Sequence, residues 1–153
     1  MSNNKLKSEG VNIKSHRLSK KEIEDNFSDL HAPLTQIEAL IEADRCYFCY
    51  DAPCTKACPS DIDVPGFIQS IRSDNLTGAA EKILSENIFG GMCARDCPTE
   101  ELCQQACVRN DHEDKPVEIG LLQRYATDSV LDNGVKLFSR KKDTGKSIAV
   151  VGA

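Results

Sequence analysis

The sequence predicts an all-α fold on three observations. Apolar side chains recur every three to four residues in several segments, which is the spacing of one helix face. Serine, threonine, aspartate or asparagine precedes several of these segments, where helices prefer their N-caps. The β-branched run typical of a strand comes only at residues 147–153, after the segments with helical spacing.

Two helices are predicted before the first cysteines. The pattern Ser19-x-x-Glu22 is that of a capping box, so a short helix is expected to start there. A second helix is expected from Thr35 to about Arg45. Its inward face is predicted from three apolar residues at helical spacing, namely Ile37, Leu40 and Ile41.

Two more helices are predicted between the two groups of cysteines. Asp63 is expected to cap a helix that carries Pro65 in its first turn. The next helix is expected to begin at Asn75 or Thr77 and to be ended by the pair Gly90-Gly91. The residues expected to face inward are Phe67, Ile68 and Ile71 in the first helix and Ala80, Ile83 and Leu84 in the second.

The last two predicted helices follow the second group of cysteines. One is expected from about Thr99 to Arg109 and carries Cys103 and Cys107. The other is expected from about Val117 to Leu131, because residues 132–134 (Asp-Asn-Gly) form a good stop signal.

The chain is predicted to have four regions. Residues 1–30 are a tail with a short helix, residues 31–134 form the helical domain, and residues 135–146 are a basic linker. Residues 147–153 are similar to the first strand of a dinucleotide-binding unit of the Rossmann type, with Gly152 as its opening glycine and a candidate cofactor contact. We therefore expect a longer protein, truncated here; the alternative is an ordinary C-terminal tail.

Composition limits the classes of partner and the cellular location. The net charge of −5 gives no reason to expect nucleic acid or an anionic membrane as partner. No apolar run approaches the length of a membrane span, and the N-terminal residues lack the hydrophobic core of a signal peptide. We therefore expect a cytoplasmic protein, in which eight cysteines indicate metal ligation more than disulfides.

The first group of cysteines has the spacing Cys-x2-Cys-x4-Cys-x3-Cys-Pro, at Cys46, Cys49, Cys54 and Cys58. Three closely spaced thiolates can wrap an iron–sulfur cluster, and the cysteine before proline serves the other cluster in two-cluster ferredoxins. This spacing predicts one [4Fe–4S] cluster on the first three cysteines and places Cys58 on a second. A zinc-stabilised interaction module is the alternative from another class, although zinc ribbons use two short cysteine pairs.

The second group contains Cys93, Cys97, Cys103 and Cys107. On the predicted helix Cys103 and Cys107 share one face, about 6 Å apart along the axis, so each would contribute a thiolate to a different cluster. From the residues alone, Cys93 is the natural eighth thiolate.

The motifs resemble the N-terminal iron–sulfur domain shared by dihydropyrimidine dehydrogenase and the small subunit of glutamate synthase. The resemblance covers about residues 35–132 and the start of a flavin-binding domain at 147–153. The run Cys-x-x-Cys-x-Asp-Ala-Pro-Cys at 46–54 and the run Ala-Cys-Pro-x-x-Ile-Asp-Val-Pro-x-Phe-Ile at 57–68 are most similar to the bacterial NAD-dependent dihydropyrimidine dehydrogenase electron-input subunit.

The resemblance implies an α-helical ferredoxin-type domain and specific ligands. It implies a first cluster on Cys46, Cys49, Cys54 and Cys107, and a second on Cys58, Cys97, Cys103 and Gln123. Cys93 remains the alternative to Gln123, because the residues alone would not select an amide ligand.

The resemblance also implies an oxidoreductase function. Electrons would pass from NAD(P)H through FAD and the two clusters to a partner catalytic subunit that carries FMN, in a hetero-oligomer. That partner would reduce uracil or thymine to the 5,6-dihydropyrimidine, a reaction of pyrimidine degradation. The fragment itself is expected to contain no catalytic residue. The alternative is the small subunit of glutamate synthase or a related flavin oxidoreductase.

Overall fold

The computed structural model describes residues 18–151, which contain α-helices and turns but no β-strand. The predicted all-α class is therefore confirmed for this part of the chain. The chain divides into two compact units between Ala32 and Pro33. In the described part of the first unit, α1 (Lys20–Asn26) begins at the predicted capping box, in which Ser19 and Glu22 bond each other's backbone N–H groups.

The second unit contains seven α-helices within its described residues. They differ greatly in length, and the shortest lie beside the cysteines. Their bounds are α2 Gln36–Asp44, α3 Pro53–Lys56, α4 Val64–Arg72, α5 Leu76–Glu86, α6 Gly90–Asp96, α7 Asn110–Glu113 and α8 Ile119–Asp132, and a 3-10 turn spans Thr99–Glu101.

The hydrophobic core of the second unit lies where α2, α4, α5 and α8 meet. Helix α8 packs against α5 and α6, and α4 packs against α5 and α2. The predicted inward faces of α4 and α5 are confirmed, because every residue assigned to them is buried. Asp63 and Asn75 are the observed N-caps of these two helices, and their side chains accept hydrogen bonds from the N–H groups of Gly66 and Gly78. Apolar burial at this junction fixes the scaffold to which the cysteine segments are attached.

The predicted inward face of α2 is wrong. Ile37 and Ile41 are 71% and 62% exposed and Leu40 is only partly buried, whereas Ala39 and Ala43 are completely buried. The small alanine side chains let α2 lie close to α4. The third buried residue on this face is Glu42, whose carboxylate is held in an ion pair with Arg45. The orientation of α2 is therefore set by the small size of Ala39 and Ala43 and by the ion pair of Glu42, and not by the burial of its largest apolar side chains.

The glycine pair Gly90-Gly91 begins a helix instead of ending one. Helix α5 ends at Glu86, Asn87 has an extended conformation, and α6 starts at Gly90. Both glycines are buried. A Cβ atom at Gly90 would lie 2.4 Å from Cγ2 of Ile83, so the glycine permits a close approach between α6 and α5.

The predicted helix from Thr99 to Arg109 is also wrong, because a 3-10 turn at Thr99–Glu101 is followed by turns at residues 102–106 and 108–109. The side-chain amide of Asn110 donates to the carbonyls of Gln104 and Gln105. A continuing helix would use these two carbonyls for backbone bonds four residues later. Side-chain bonding of this kind competes with helix formation, so Cys103 and Cys107 are presented from turns.

The C-terminal helix ends where the sequence predicts. Helix α8 is followed by Asn133 as its C-cap and by Gly134 in the left-handed conformation at φ +61°. Residues 135–151 contain no helix or strand, and residues 147–151 are exposed. The predicted strand is not formed within these described residues, and Gly152 lies outside them. None of the helices in residues 18–151 is long and apolar enough to cross a membrane.

The contact between Gly90 and Ile83 generates a stability prediction. We expect Gly90→Ala to lower the free energy of unfolding by about 1–3 kcal/mol, because the new methyl group overpacks the junction of α5 and α6. Gly91→Ala is the matched control, since its Cβ would meet its nearest neighbour, Leu131, at 3.4 Å. Thermal unfolding of both variants measures the difference. Equal melting temperatures would contradict this account of Gly90.

Candidate metal centre

Four cysteines from two distant segments line one pocket, which we call pocket A. They are Cys46, Cys49, Cys54 and Cys107. Apolar side chains from α4 and from the start of α8 form much of the remaining wall, namely Val64, Ile68 and Ile119 with Pro65 and Val117 beside them. Pocket A therefore combines four soft donors with a surface that excludes water.

The loop between α2 and α3 supplies Cys46 and Cys49 of this pocket, and the first turn of α3 supplies Cys54. Phe48 and Ala52 have φ values of +52° and +41°, a region that non-glycine residues rarely adopt. These two left-handed residues turn the chain back on itself, so that Cys46, Cys49 and Cys54 line one pocket. The ring of Phe48 packs against the hydrophobic core, and its N–H lies 3.4 Å from Cys46 Sγ, within hydrogen-bonding distance of the sulfur.

Arginine residues join this loop to the turn that carries Cys107. Arg109 Nε donates to the carbonyl oxygen of Arg45, the residue before Cys46. The guanidinium of Arg109 also pairs with Glu113 and lies 3.9 Å from the centre of the Tyr47 ring. These contacts bring Cys46 and Cys107 to the same pocket, although the two residues are far apart in the sequence.

Arg45 extends this network towards α8. It pairs with the buried Glu42 and with Glu113, and it donates to the carbonyls of Lys115 and Pro116. Glu42 Oε1 in turn accepts the N–H of Glu118 at 2.9 Å, at the start of α8. Buried charges are tolerated when they are paired and hydrogen-bonded, as they are here.

The other four cysteines line a second pocket, which we call pocket B. They are Cys58, Cys93, Cys97 and Cys103. Gln123 of α8 lies in the same wall, so both candidates for the eighth ligand position, Cys93 and Gln123, are at this pocket. Asn87 also lines it. The amide nitrogen of Asn87 donates to Cys93 Sγ at 3.1 Å and to Ser60 Oγ at 3.3 Å.

Gln123 is held by a hydrogen bond inside the protein. It is 7% exposed, and its Nε2 donates to the carbonyl oxygen of Gly90 at 2.7 Å. One turn further along α8, Thr127 is completely buried and its hydroxyl donates to the backbone carbonyl of Gln123. Gln123 is therefore a fixed residue of the wall of pocket B, and not the exposed helix residue that glutamine usually is.

The thiols are partly withdrawn from water, which changes their acidity. Burial, with a smaller contribution from neighbouring thiolates, raises the pKa of Cys54 to about 11 and that of Cys103 to about 12. Burial also raises the pKa of Cys46 and Cys97. Cys54 of pocket A and Cys58 of pocket B are four residues apart, on either side of the end of α3, so the two pockets lie close to each other.

The donor set fits a polynuclear iron centre better than a single metal ion. Iron–sulfur clusters are held by soft thiolates around a cubane, and each pocket is lined by four cysteines. Across residues 18–151, by contrast, no three His, Cys, Asp or Glu residues are grouped so that they could hold one metal ion. All eight cysteines are free of disulfides.

Sequence patterns did not reveal the residues that hold the pockets together. Arg45, Glu42 and Asn87 are ordinary polar residues in the sequence, and each acts through partners that only the fold brings near. Two of them have a signal in their position, since Arg45 directly precedes the first cysteine and Asn87 lies three residues before the Gly90-Gly91 pair.

Comparison with known proteins identifies the family. Residues 23–135 match the family described as dihydropyrimidine dehydrogenase domain II, 4Fe-4S cluster. The chain belongs to this family. A 4Fe-4S domain is thus established by the match, in agreement with the prediction from the cysteine spacing.

Relatives of this iron–sulfur domain are subunits of oxidoreductases. The chain is 43% identical to the NAD-dependent dihydropyrimidine dehydrogenase subunit PreT of Escherichia coli K12, over 85% of this chain and 32% of the relative. It is 42% identical to PreT of Salmonella typhimurium, over the same shares of the two chains. The predicted resemblance is confirmed by these matches.

The glutamate synthase branch is also represented. The chain is 32% identical to the glutamate synthase [NADPH] small chain of Escherichia coli K12, over 83% of this chain and 27% of the relative. The chain thus spans about a third or less of the length of the curated relatives it matches. The homology indicates an electron-transfer iron–sulfur domain that acts within a larger oxidoreductase.

The raised thiol pKa values generate a pH prediction for the metal-free domain. A folded-state pKa above the ordinary value of 9.0 means that the unfolded chain releases these protons first. The contribution of the protonated Cys54 and Cys103 thiols to the stability of the folded domain is therefore fully present below about pH 9. It is lost as the pH rises through their folded-state pKa values of about 11 and about 12. We expect the free energy of unfolding of the reduced, metal-free domain to fall over this range.

Urea denaturation at pH 8 to 11 under a reductant measures this loss. Cys54→Ser is the control, because serine does not titrate in this range and the variant should lose less stability on going to high pH. An equal loss in the variant and the unmodified chain would mean that other groups, such as lysines, cause the effect.

Proposed function

We propose that this domain holds two [4Fe–4S] clusters, one in each pocket, and serves as an electron relay. The observation that carries the proposal is the equal division of eight free cysteines between two neighbouring pockets. The clusters would supply one-electron redox chemistry. The protein would supply thiolate ligands, an apolar enclosure and a fixed separation between the two sites.

We propose that Cys46, Cys49, Cys54 and Cys107 are the ligands in pocket A. In pocket B we propose Cys58, Cys97, Cys103 and Gln123, with Cys93 as the alternative to Gln123. The hydrogen bond from Gln123 to Gly90 supports this choice, since it fixes the amide in the wall of the pocket. Asn87 donates to the half-buried Sγ of Cys93, so this thiol has a hydrogen-bond partner of its own and would fill the pocket wall without ligation.

In the full-length protein we propose that electrons arrive from NAD(P)H through FAD, in a domain that begins near residue 147. They would leave to a partner catalytic subunit that carries FMN and reduces uracil or thymine to the 5,6-dihydropyrimidine. The name of the relatives at 42–43% identity supports this acceptor and supports NAD as the nicotinamide cofactor. A hetero-oligomer follows from the separation of electron input and substrate reduction into different subunits.

A second candidate is the electron-input subunit of a glutamate synthase. The 32% identity to a glutamate synthase small chain favours it as the alternative acceptor. A zinc-stabilised interaction module is disfavoured, because residues 23–135 match a family whose description names a 4Fe-4S cluster.

Substitution of single cysteines tests the division of ligands. We expect Cys54→Ser to remove the cluster of pocket A and Cys97→Ser to remove that of pocket B, each with about half of the bound iron. Cys93→Ser is the matched control and should retain both clusters. Iron analysis and low-temperature electron paramagnetic resonance (EPR) of the reduced protein measure these outcomes. If Cys93→Ser loses one cluster while Gln123→Ala retains both, Cys93 is the eighth ligand.

The acceptor is tested with the full-length protein and its natural partner subunit. We expect uracil to stimulate the oxidation of NADH, and glutamine with 2-oxoglutarate to have no effect. Stimulation by glutamine and 2-oxoglutarate in place of uracil would contradict the dihydropyrimidine dehydrogenase assignment and support the second candidate.

A further inference from the structure

We propose that the backbone carbonyl of Gly90 selects an amide over a carboxylate at position 123 and turns the oxygen of that amide towards pocket B. Gly90 is then a positioning residue for Gln123. This inference rests on the proposed function, because it concerns how Gln123 meets a cluster in that pocket.

The orientation of the Gln123 side chain follows from hydrogen-bond chemistry. The distance between the Gly90 carbonyl oxygen and the nearest atom of the amide is 2.7 Å. A carbonyl oxygen only accepts hydrogen bonds, so the amide atom beside it must be the nitrogen. The other terminal atom, Oε1, is therefore the one available to the pocket that Gln123 lines.

The position of the Gly90 carbonyl is itself fixed. The N–H of Gly90 donates to the carbonyl of Asn87 at 2.8 Å, at the tight connection between α5 and α6. A Cβ at Gly90 would lie 2.4 Å from Ile83 and 3.8 Å from Gln123 Nε2. The absence of a side chain at Gly90 thus lets its peptide approach α5, whereas a Cβ would make only an ordinary contact with Gln123 of α8.

A glutamate at position 123 would meet a different environment. An ionised carboxylate is an acceptor only, so both of its oxygens would lack a proton to share with the Gly90 carbonyl. Two acceptors facing each other at about 2.7 Å in a buried site are mutually repulsive, and each loses its hydration. The side chain would have to leave the position that gives Gln123 its orientation.

The test compares three variants in the full-length chain, reconstituted with iron and sulfide without oxygen. Gln123→Glu keeps an oxygen atom that could ligate a cluster but removes the N–H group that bonds the Gly90 carbonyl. Gln123→Met removes both the oxygen and the N–H group, and methionine is similar in size to glutamine. Gln69→Glu is the matched control, since it makes the same charge change on the exposed side of α4. The readouts are the EPR signal and the midpoint potential of each cluster.

We expect Gln123→Glu to lower the occupancy of pocket B by about tenfold or more, or to give its cluster an altered signal and potential. The signal of pocket A should be unchanged, which shows that the domain is folded. Gln69→Glu should match the unmodified protein in both signals. If Gln123→Glu unfolds the domain, Gln123→Met serves in its place and should lack the native signal of pocket B.

Two results would overturn the inference. One is a native signal and potential for pocket B in Gln123→Glu, since a carboxylate would then be accepted beside Gly90. The other is a native signal for pocket B in Gln123→Met, which would exclude Gln123 from the site while leaving the two-cluster relay intact. By contrast, an unmodified protein that holds a single cluster, or none, would refute the proposed function itself and this inference with it.

Discussion

The network around Arg45 is the constraint on which pocket A depends. Arg45 and Arg109 connect the end of α2, the turn after Cys107 and the segment that leads into α8. The sulfur atoms of Cys46 and Cys107 can share a pocket only while this connection holds. Removal of one partner would leave a buried charge such as Glu42 uncompensated, which is far more costly than loss of a surface ion pair. The ion pairs of Arg45 and Arg109 are thus structural elements of the wall around pocket A.

Pocket B is held by hydrogen bonds of amide groups, whereas pocket A is held by ion pairs. The cysteines of pocket B come from the segment after α3, from α6 and its C-cap, and from the turns before α7, and Gln123 of α8 and Asn87 form part of its remaining wall. Backbone carbonyls and side-chain amides fix its polar residues, as Gly90 and Asn87 show. Cys54 and Cys58 lie at opposite ends of one short segment, so α3 separates the two pockets by about one helical turn. Such proximity is what an electron relay between two centres requires.

The sequence predicted the helical class, the caps at Ser19 and Asp63, and the inward faces of α4 and α5, because these depend on local patterns. It left the start of α5 open between Asn75 and Thr77, and Asn75 is the observed cap. It failed where packing against other helices, or side-chain bonds that helical periodicity does not anticipate, decide the local structure. Buried alanines and an ion pair turned α2 away from its predicted face, and the amide of Asn110 prevented a helix through Cys103 and Cys107. The cysteine spacing predicted a cluster-binding domain, whereas the roles of Gly90 and Arg45 became apparent only in three dimensions. The ligand assignments and the flavin domain after residue 147 remain predictions.

The central claim is that the eight cysteines enclose two clusters. The most direct test is the content of iron and acid-labile sulfide in the domain after reconstitution without oxygen, together with its zinc content. Two clusters require about eight iron atoms and about eight sulfides per chain. A colourless protein that contains stoichiometric zinc and no sulfide would contradict the account, and a value near four of each would mean that only one pocket holds a cluster.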